Sequence, residues 1–203
     1  QIISKLFLKN NINFVVLKGM GLITHGYYGA GVRFCRDIDI LVDRHQLKKS
    51  YHLLKEIGYK YINPFSSDSC DYLHDKHQIP AMKNDAGTIV EIHHRATSQR
   101  HYQKCPISKE LLANKVFNGH IPIPLPNLNA IHIFYHAKIH HENEYGPIML
   151  FDIKTLHNKH KDIFDDKFLL LKKLGIEHDF KILSEIFSNI ELEERVTENI
   201  FKK

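Results

Sequence analysis

The stretch Val32-Arg33-Phe34-Cys35-Arg36-Asp37-Ile38-Asp39-Ile40-Leu41-Val42 sets two carboxylates two residues apart inside a run that otherwise has the make-up of a buried strand. Side chains alternate faces along a strand, so Asp37 and Asp39 point one way while Ile38 and Ile40 enter the opposite layer. Adjacent carboxylates repel and lose water, which raises the pKa of at least one of them and makes the pairing costly unless a cation lies between them. A divalent metal meets that need. The bland alternative is a solvent-facing pair at a strand end.

The sequence around that strand alternates helix and strand patterns. Ile2 to Leu8 has helical apolar spacing that Asn10 and Asn11 break, and Phe14-Val15-Val16-Leu17 is a short buried strand ending at Lys18-Gly19. A helix is expected from Met20 to about Tyr28, then a loop with Gly26, Gly29 and Gly31. Gln46 to Ile57 reads as a helix, with Leu47, Tyr51, Leu54 and Ile57 at helical spacing and Gly58 placed as a C-terminal cap. Tyr59 to Ile62 reads as a strand. The runs His77 to Met82 and Thr88 to His93 flank Asn84-Asp85-Ala86-Gly87, a hairpin signal in which Pro80 suggests an edge position.

Ile121-Pro122-Ile123-Pro124-Leu125-Pro126 cannot continue a helix or sit in a central strand, and it marks the boundary expected between two domains, 1–122 and 127–203. Beyond it the pattern is nearly all helical. Asn127 or Asn129 could cap a helix through about His141, Pro147 could open one through about Lys159, and shorter amphipathic segments follow to Lys203. The fold class is therefore α+β, a chain of 203 residues, 43% of them hydrophobic, that can bury one sizeable core or two small ones.

No apolar run approaches the roughly 20 residues of a membrane helix, so no membrane partner is expected. The start at Gln1 points to residues upstream. Cys35, Cys70 and Cys105 form no CxxC pair, and an odd count argues against a disulfide framework, which leaves a reducing cytoplasm as the expected compartment. The net charge of +5 favours polyanionic partners, but the basic residues are scattered, which suits a nucleotide better than nucleic acid.

Thr88-Ile89-Val90-Glu91-Ile92-His93-His94 again places an acid in a β-branched run, with Glu91 on the face of Ile89 and His93. A third carboxylate on a neighbouring strand would complete a set of hard oxygen ligands suited to Mg²⁺ or Mn²⁺ rather than zinc. Two such metals about 3.5 to 4 Å apart can activate an attacking hydroxyl and stabilise a leaving pyrophosphate. Lys18, Gly19 and Arg36 are the candidate phosphate donors, because Lys18-Gly19 ends a strand just before a helix, where backbone amides and the helix dipole attract anions. The GxxxxGK[ST] loop is absent.

Other residues invite weaker readings. His136 and His140 fall one turn apart on a helix, but HEXXH would need Glu where Ala137 stands, so packing or a cleft lining is favoured over zinc. His93 reads as structural. Asp152, after Ile148-Met149-Leu150-Phe151, either reaches the cleft or partners a helical His or Lys, with the structural role preferred. Phe7, Leu53, Leu54, Phe134, Phe151 and Phe168 fit core faces.

Leu17-Lys18-Gly19, Arg36-Asp37-Ile38-Asp39-Ile40-Leu41-Val42 and Val90-Glu91-Ile92-His93, in that order, resemble the uncharacterised nucleotidyltransferases of the DNA polymerase beta-like superfamily. Leu128 to His141 and the apolar run ending in Asp152 are similar to that family's helical tail. The resemblance implies a nucleotidyltransferase fold, a short mixed sheet flanked by helices, followed by an α-helical domain. It implies that Asp37 and Asp39 hold the metals, that Glu91 is the third carboxylate, and that Gly19 lies at the phosphate-binding turn. The superfamily usually has Gly-Ser there and closer to the acids; this chain has Gly19-Met20, with 17 residues between Gly19 and Asp37.

The expected reaction is metal-dependent transfer of a nucleoside monophosphate from a nucleoside triphosphate, ATP first among them, to a hydroxyl-type acceptor, with pyrophosphate leaving. The acceptor, a small molecule or a peptide or protein, is not identified by the sequence. The competing expectations are a catalytically silent protein that senses nucleotide or binds a partner with the same fold, and a nucleic-acid binder whose affinity would fall steeply with salt.

Overall fold

The computed structural model describes residues 1–29, 31–63, 78–97, 107–140, 147–164 and 168–201. The first part runs α1 (Ile2–Lys9), β1 (Phe14–Val16), α2 (Lys18–Thr24), β2 (Ile38–Val42), α3 (Leu47–Glu56), β3 (Lys60–Tyr61), β4 (Met82–Lys83) and β5 (Ile89–His93). Asn10 closes α1 by donating from Nδ2 to Leu6 O at 3.0 Å, and Asn11 reverses the chain at φ 55°, a conformation asparagine tolerates better than most residues. Gly58 ends α3 at φ 89°, as its position after the helix predicts.

The five strands form a mixed sheet in the order β1-β2-β5-β4-β3. β1 is antiparallel to β2, β2 is parallel to β5, and β4 is antiparallel to both β5 and β3. A parallel pair requires a crossover, and the chain between β2 and β5 supplies it with α3.

The period of two divides the sheet into two layers. Phe14, Val16, Ile40, Val42, Val90 and Ile92 face Phe7 of α1 and Tyr51 and Leu54 of α3. Val15 and Leu41 face the other way, into a cluster with helical residues of the second half. That half runs α4 (Ile107–Ala113), β6 (Lys115–Asn118), β7 (Ile121–Pro124), α5 (Pro126–His140), α6 (Pro147–Lys159), α7 (Phe168–Leu174) and α8 (Glu177–Phe201). Leu111, Leu128, Ile131 and Ile153 bring α4, α5 and α6 against Val15 and Leu41 in one buried cluster.

Several boundaries differ from the sequence reading, each for a local reason. The proline-rich run forms β7, paired with β6 in a two-stranded sheet, where the missing proline N–H groups cost no central ladder bond; its Ile121 and Ile123 are buried beside Phe14. β4 is flanked by β3, so Pro80 precedes an inner strand rather than marking an edge; His77 lies outside the described residues. The segments expected after α6 include one helix of 25 residues, α8. Phe151 is not a core residue: α6 turns Asp152, Ile153, Leu156 and His157 inward and leaves Phe151 62% exposed. The side chain of Phe168 lies outside the described residues. Among the described residues, no helix is long and apolar enough to cross a membrane.

Candidate active site

β2 and β5 run side by side with Asp39 opposite Glu91 and Leu41 opposite His93. Parallel pairing in this register puts Asp39, Glu91 and His93 on one face, and their ligand atoms all lie within 4.8 Å of one another. His93 Nε2 is 2.9 Å from Asp39 Oδ1 and 3.7 Å from Glu91 Oε2. Gln78 donates from Nε2 to Glu91 Oε2 at 2.9 Å, which fixes that carboxylate's orientation. Asp37 stands one residue before β2, lining the same cleft but outside the close group.

The two aspartates are driven apart electrostatically. Burial pushes the Asp39 carboxyl up, but the Lys18 ammonium and the His93 hydrogen bond outweigh it and hold it below the usual carboxylate range. Lys18 Nζ reaches Asp39 Oδ1 at 3.0 Å. Asp37 goes the other way, raised first by burial and then by the Asp39 charge, with Lys18, Arg36 and His93 pulling against the shift. The two acids thus sit in different environments, Asp39 held ionised by its partners and Asp37 biased by burial toward its neutral form.

Lys18 begins α2 at φ 52°, in the left-handed region that costs a side-chain-bearing residue on the order of 1 kcal/mol. That turn aims its ammonium at Asp39, and the backbone at the same point is pinned by Leu17 N donating to Asp39 O at 2.9 Å. Gly19 follows for a steric reason. A Cβ there would stand 2.6 Å from Cys35 Sγ and 3.1 Å from an Arg33 guanidinium nitrogen, so glycine lets the turn lie flat against the loop that carries Arg36 and Asp37.

These residues border a cleft of about 990 Å³. It is lined by Lys18, Gly19, Arg36, Asp37, Asp39 and Glu91, so the structure brings these residues, singled out in the sequence, to one cavity. Its sides are Val32, Phe34 and Cys35 from the loop before β2, His136 from α5, and Ile148 and Phe151 from α6. Cys35 is a free thiol, raised by burial; Cys70, Cys105 and the His140 side chain lie outside the described residues.

Asp152 is engaged in holding that cleft's shape. Arg33 donates from Nε to its Oδ1 at 3.0 Å and from Nη2 to its Oδ2 at 3.1 Å, and Tyr28 donates its hydroxyl to Oδ1 at 2.6 Å. The partners are Arg33 and Tyr28 of the loop before β2, which the helical spacing around Asp152 could not reveal.

His93 and Gln78 are the residues whose involvement sequence reasoning missed. His93 shares the parity of Glu91, a signal available in the sequence; Gln78 reaches Glu91 through a bridge to His93 that no local pattern announces. Two carboxylates present hard oxygen donors of the kind Mg²⁺ and Mn²⁺ take. His93, already bonded to Asp39, is placed either to join them or to steady a ligating carboxylate. The donor set therefore fits a divalent metal.

A family described as Uncharacterised nucleotidyltransferase matches residues 1–184. Among solved structures, an antigenic nucleotidyltransferase-like protein from Paracoccidioides brasiliensis is similar over 91% of this chain and 89% of its own, at 14% identity and a TM-score of 0.51, which shows a shared fold. The lincosamide antibiotic adenylyltransferase LnuA, bound to lincomycin, matches 76% of this chain and 92% of its own at 19% identity and a TM-score of 0.48. ANT(2")-Ia in complex with adenylyl-2"-tobramycin matches 93% and 94% at 9% identity and a TM-score of 0.49. No curated protein matches the chain.

Proposed function

The chain belongs to the uncharacterised nucleotidyltransferase family, and from that premise we propose that it transfers a nucleoside monophosphate from a nucleoside triphosphate, ATP in the first instance, to an acceptor hydroxyl. The observation that carries the reading is the in-register convergence of Asp39, Glu91 and His93 at the floor of a cleft that also holds Asp37, Lys18 and Arg36.

Asp37, Asp39 and Glu91 would hold Mg²⁺ or Mn²⁺, which when bound supplies the positive charge that the paired acids lack and that a triphosphate needs. His93 and Gln78 orient the carboxylates. Lys18, the Gly19 turn and Arg36 bind the phosphates, and Glu91 accepts the acceptor's proton. The acceptor oxygen forms a bond to the α-phosphorus, the bond from that phosphorus to the bridging oxygen breaks, and pyrophosphate leaves. Rate enhancement comes from positioning and charge neutralisation. Residues 1–122 form the catalytic domain in this reading, and 127–203 form an α-helical domain that covers the cleft and helps select the acceptor. Work on a triphosphate fits the cytoplasm.

Incubation with α-labelled nucleoside triphosphates, Mg²⁺ or Mn²⁺ and a panel of hydroxyl acceptors tests the proposal. Asp39→Ala should lower transfer by at least about 10²- to 10³-fold, and equal turnover by the variant and the parent would end it. Calorimetric binding of triphosphate with metal, but no pyrophosphate with any acceptor, would instead favour the silent nucleotide sensor.

A further inference from the structure

The cleft has a charged floor and apolar sides, and the transfer chemistry uses the floor alone. In the loop before β2 Val32 and Phe34 are 72% and 81% exposed, and in α6 Ile148 and Phe151 are 44% and 62% exposed; all four line the cavity. Large apolar side chains gathered around a cavity mark a binding surface, because scattered placement would serve solubility better.

Their arrangement is built rather than incidental. Arg33 lies between Val32 and Phe34 in the chain, Asp152 follows Phe151, and the two are joined by paired charge-assisted hydrogen bonds. The clasp pairs Arg33 with Asp152 and leaves their apolar neighbours Val32, Phe34 and Phe151 lining the cavity. At about 990 Å³ the cleft stands at the upper end of the roughly 300–1,000 Å³ that single drug-sized ligands occupy, so there is space beyond a triphosphate. The carboxylates among the described lining residues are Asp37, Asp39 and Glu91, all at the floor, while the other ionised groups there, Lys18, Arg33 and Arg36, are cations. Among the described residues, the lining around Val32, Phe34, Ile148 and Phe151 offers a polycationic acceptor no carboxylate to pair with.

We infer that the surface formed by Val32, Phe34, Ile148 and Phe151 receives the acceptor, and that the acceptor is a hydroxyl compound with an apolar body and no positive charge. This rests on the nucleotidyltransferase reading. The neutral hydroxycoumarin 4-methylumbelliferone serves as a fluorescent probe, titrated by polarisation into the full chain in the presence of Mn²⁺ and α,β-methylene-ATP, which cannot release pyrophosphate.

The coumarin should bind alongside the nucleotide analogue, and Phe34→Ser combined with Phe151→Ser should weaken it about tenfold or more. Both residues are exposed, so the double variant should keep the parent's fold, checked by circular dichroism. Affinity for the analogue itself should change less than twofold. Displacement of the coumarin by the analogue, with the analogue weakened in the double variant, would assign the surface to the nucleotide base and overturn the inference. So would coumarin binding that is absent or indifferent to the substitutions, or kanamycin, a polycationic polyol, binding more tightly than the coumarin. Failure of α,β-methylene-ATP to bind with Mn²⁺ would overturn the function reading itself, and this inference with it.

Discussion

The two faces of the central sheet use the same strands for opposite purposes. Ile40 and Ile92 face α1 and α3 in an apolar layer, and their immediate neighbours Asp39, Glu91 and His93 face the helical half as a cluster of ionisable groups. The apolar layer stabilises by removing surface from water, a term that is non-directional and tolerant of detail. The polar face works by geometry, through distances of 2.9 to 3.7 Å among Asp39, Glu91, His93 and Gln78. Stability and chemistry are thus separated by one residue along β2.

Three substitutions probe that separation. The largest effect belongs to the apolar layer: Ile40→Ala should cost about 2–5 kcal/mol in chemical denaturation, while the protein that remains folded binds triphosphate as the parent does. If nucleotide affinity per folded molecule falls tenfold, the two faces are mechanically coupled and the division fails.

The second substitution tests the polar side at depth. His132 of α5 is fully buried. Burial first, and then the charges of Lys18 and His93, drive its pKa down to about 3 against the opposing pull of Asp39 and a hydrogen bond with the Ala96 backbone. Its folded pKa lies below its unfolded value near 6.5, so the unfolded chain takes up the proton first. Stability is then full above pH 6.5 and declines as pH falls toward 3. Between pH 7 and pH 5 this group alone should cost about 2 kcal/mol, and His132→Leu should remove that share of the loss in parallel denaturation series. Identical pH slopes would show that no buried neutral imidazole contributes. Asp39, depressed rather than raised, adds stability that is present above about pH 4 and is lost only below it.

The smallest effect concerns the clasp. Asp152→Asn removes one of the two acceptors for Arg33 and the charge behind both bonds, for about 1.5 kcal/mol of stability, the low end for hydrogen bonds to a charged group. Its sharper readout is kinetic, a rise in acceptor KM with little change in kcat, because the loop loses its tie to α6 while Asp39 and Glu91 stay in place on β2 and β5. An equal fall in kcat would mean that Asp152 acts on the floor as well.

Much of this was legible locally. The alternation in Ile38-Asp39-Ile40-Leu41-Val42 and Val90-Glu91-Ile92-His93 assigns each residue to a face without reference to any other part of the chain. Asn10 and Gly58 ended their helices where sequence chemistry placed them. Phe151 misled because a helical apolar pattern does not say which of two stripes turns inward. His93 reads as structural in the sequence because its place in the site depends on a carboxylate 54 residues away.

What the sequence determined, then, was which side chains share a face, since a period of two is a property of the strand itself. Tertiary structure decided that Asp39 lies opposite Glu91, that Gln78 and His93 hold those acids, and that Arg33 reaches Asp152 across 119 residues to shape an apolar-sided cleft. Register and closure depend on contacts between distant segments, and those are fixed by how the whole core packs, with no local periodicity to announce them.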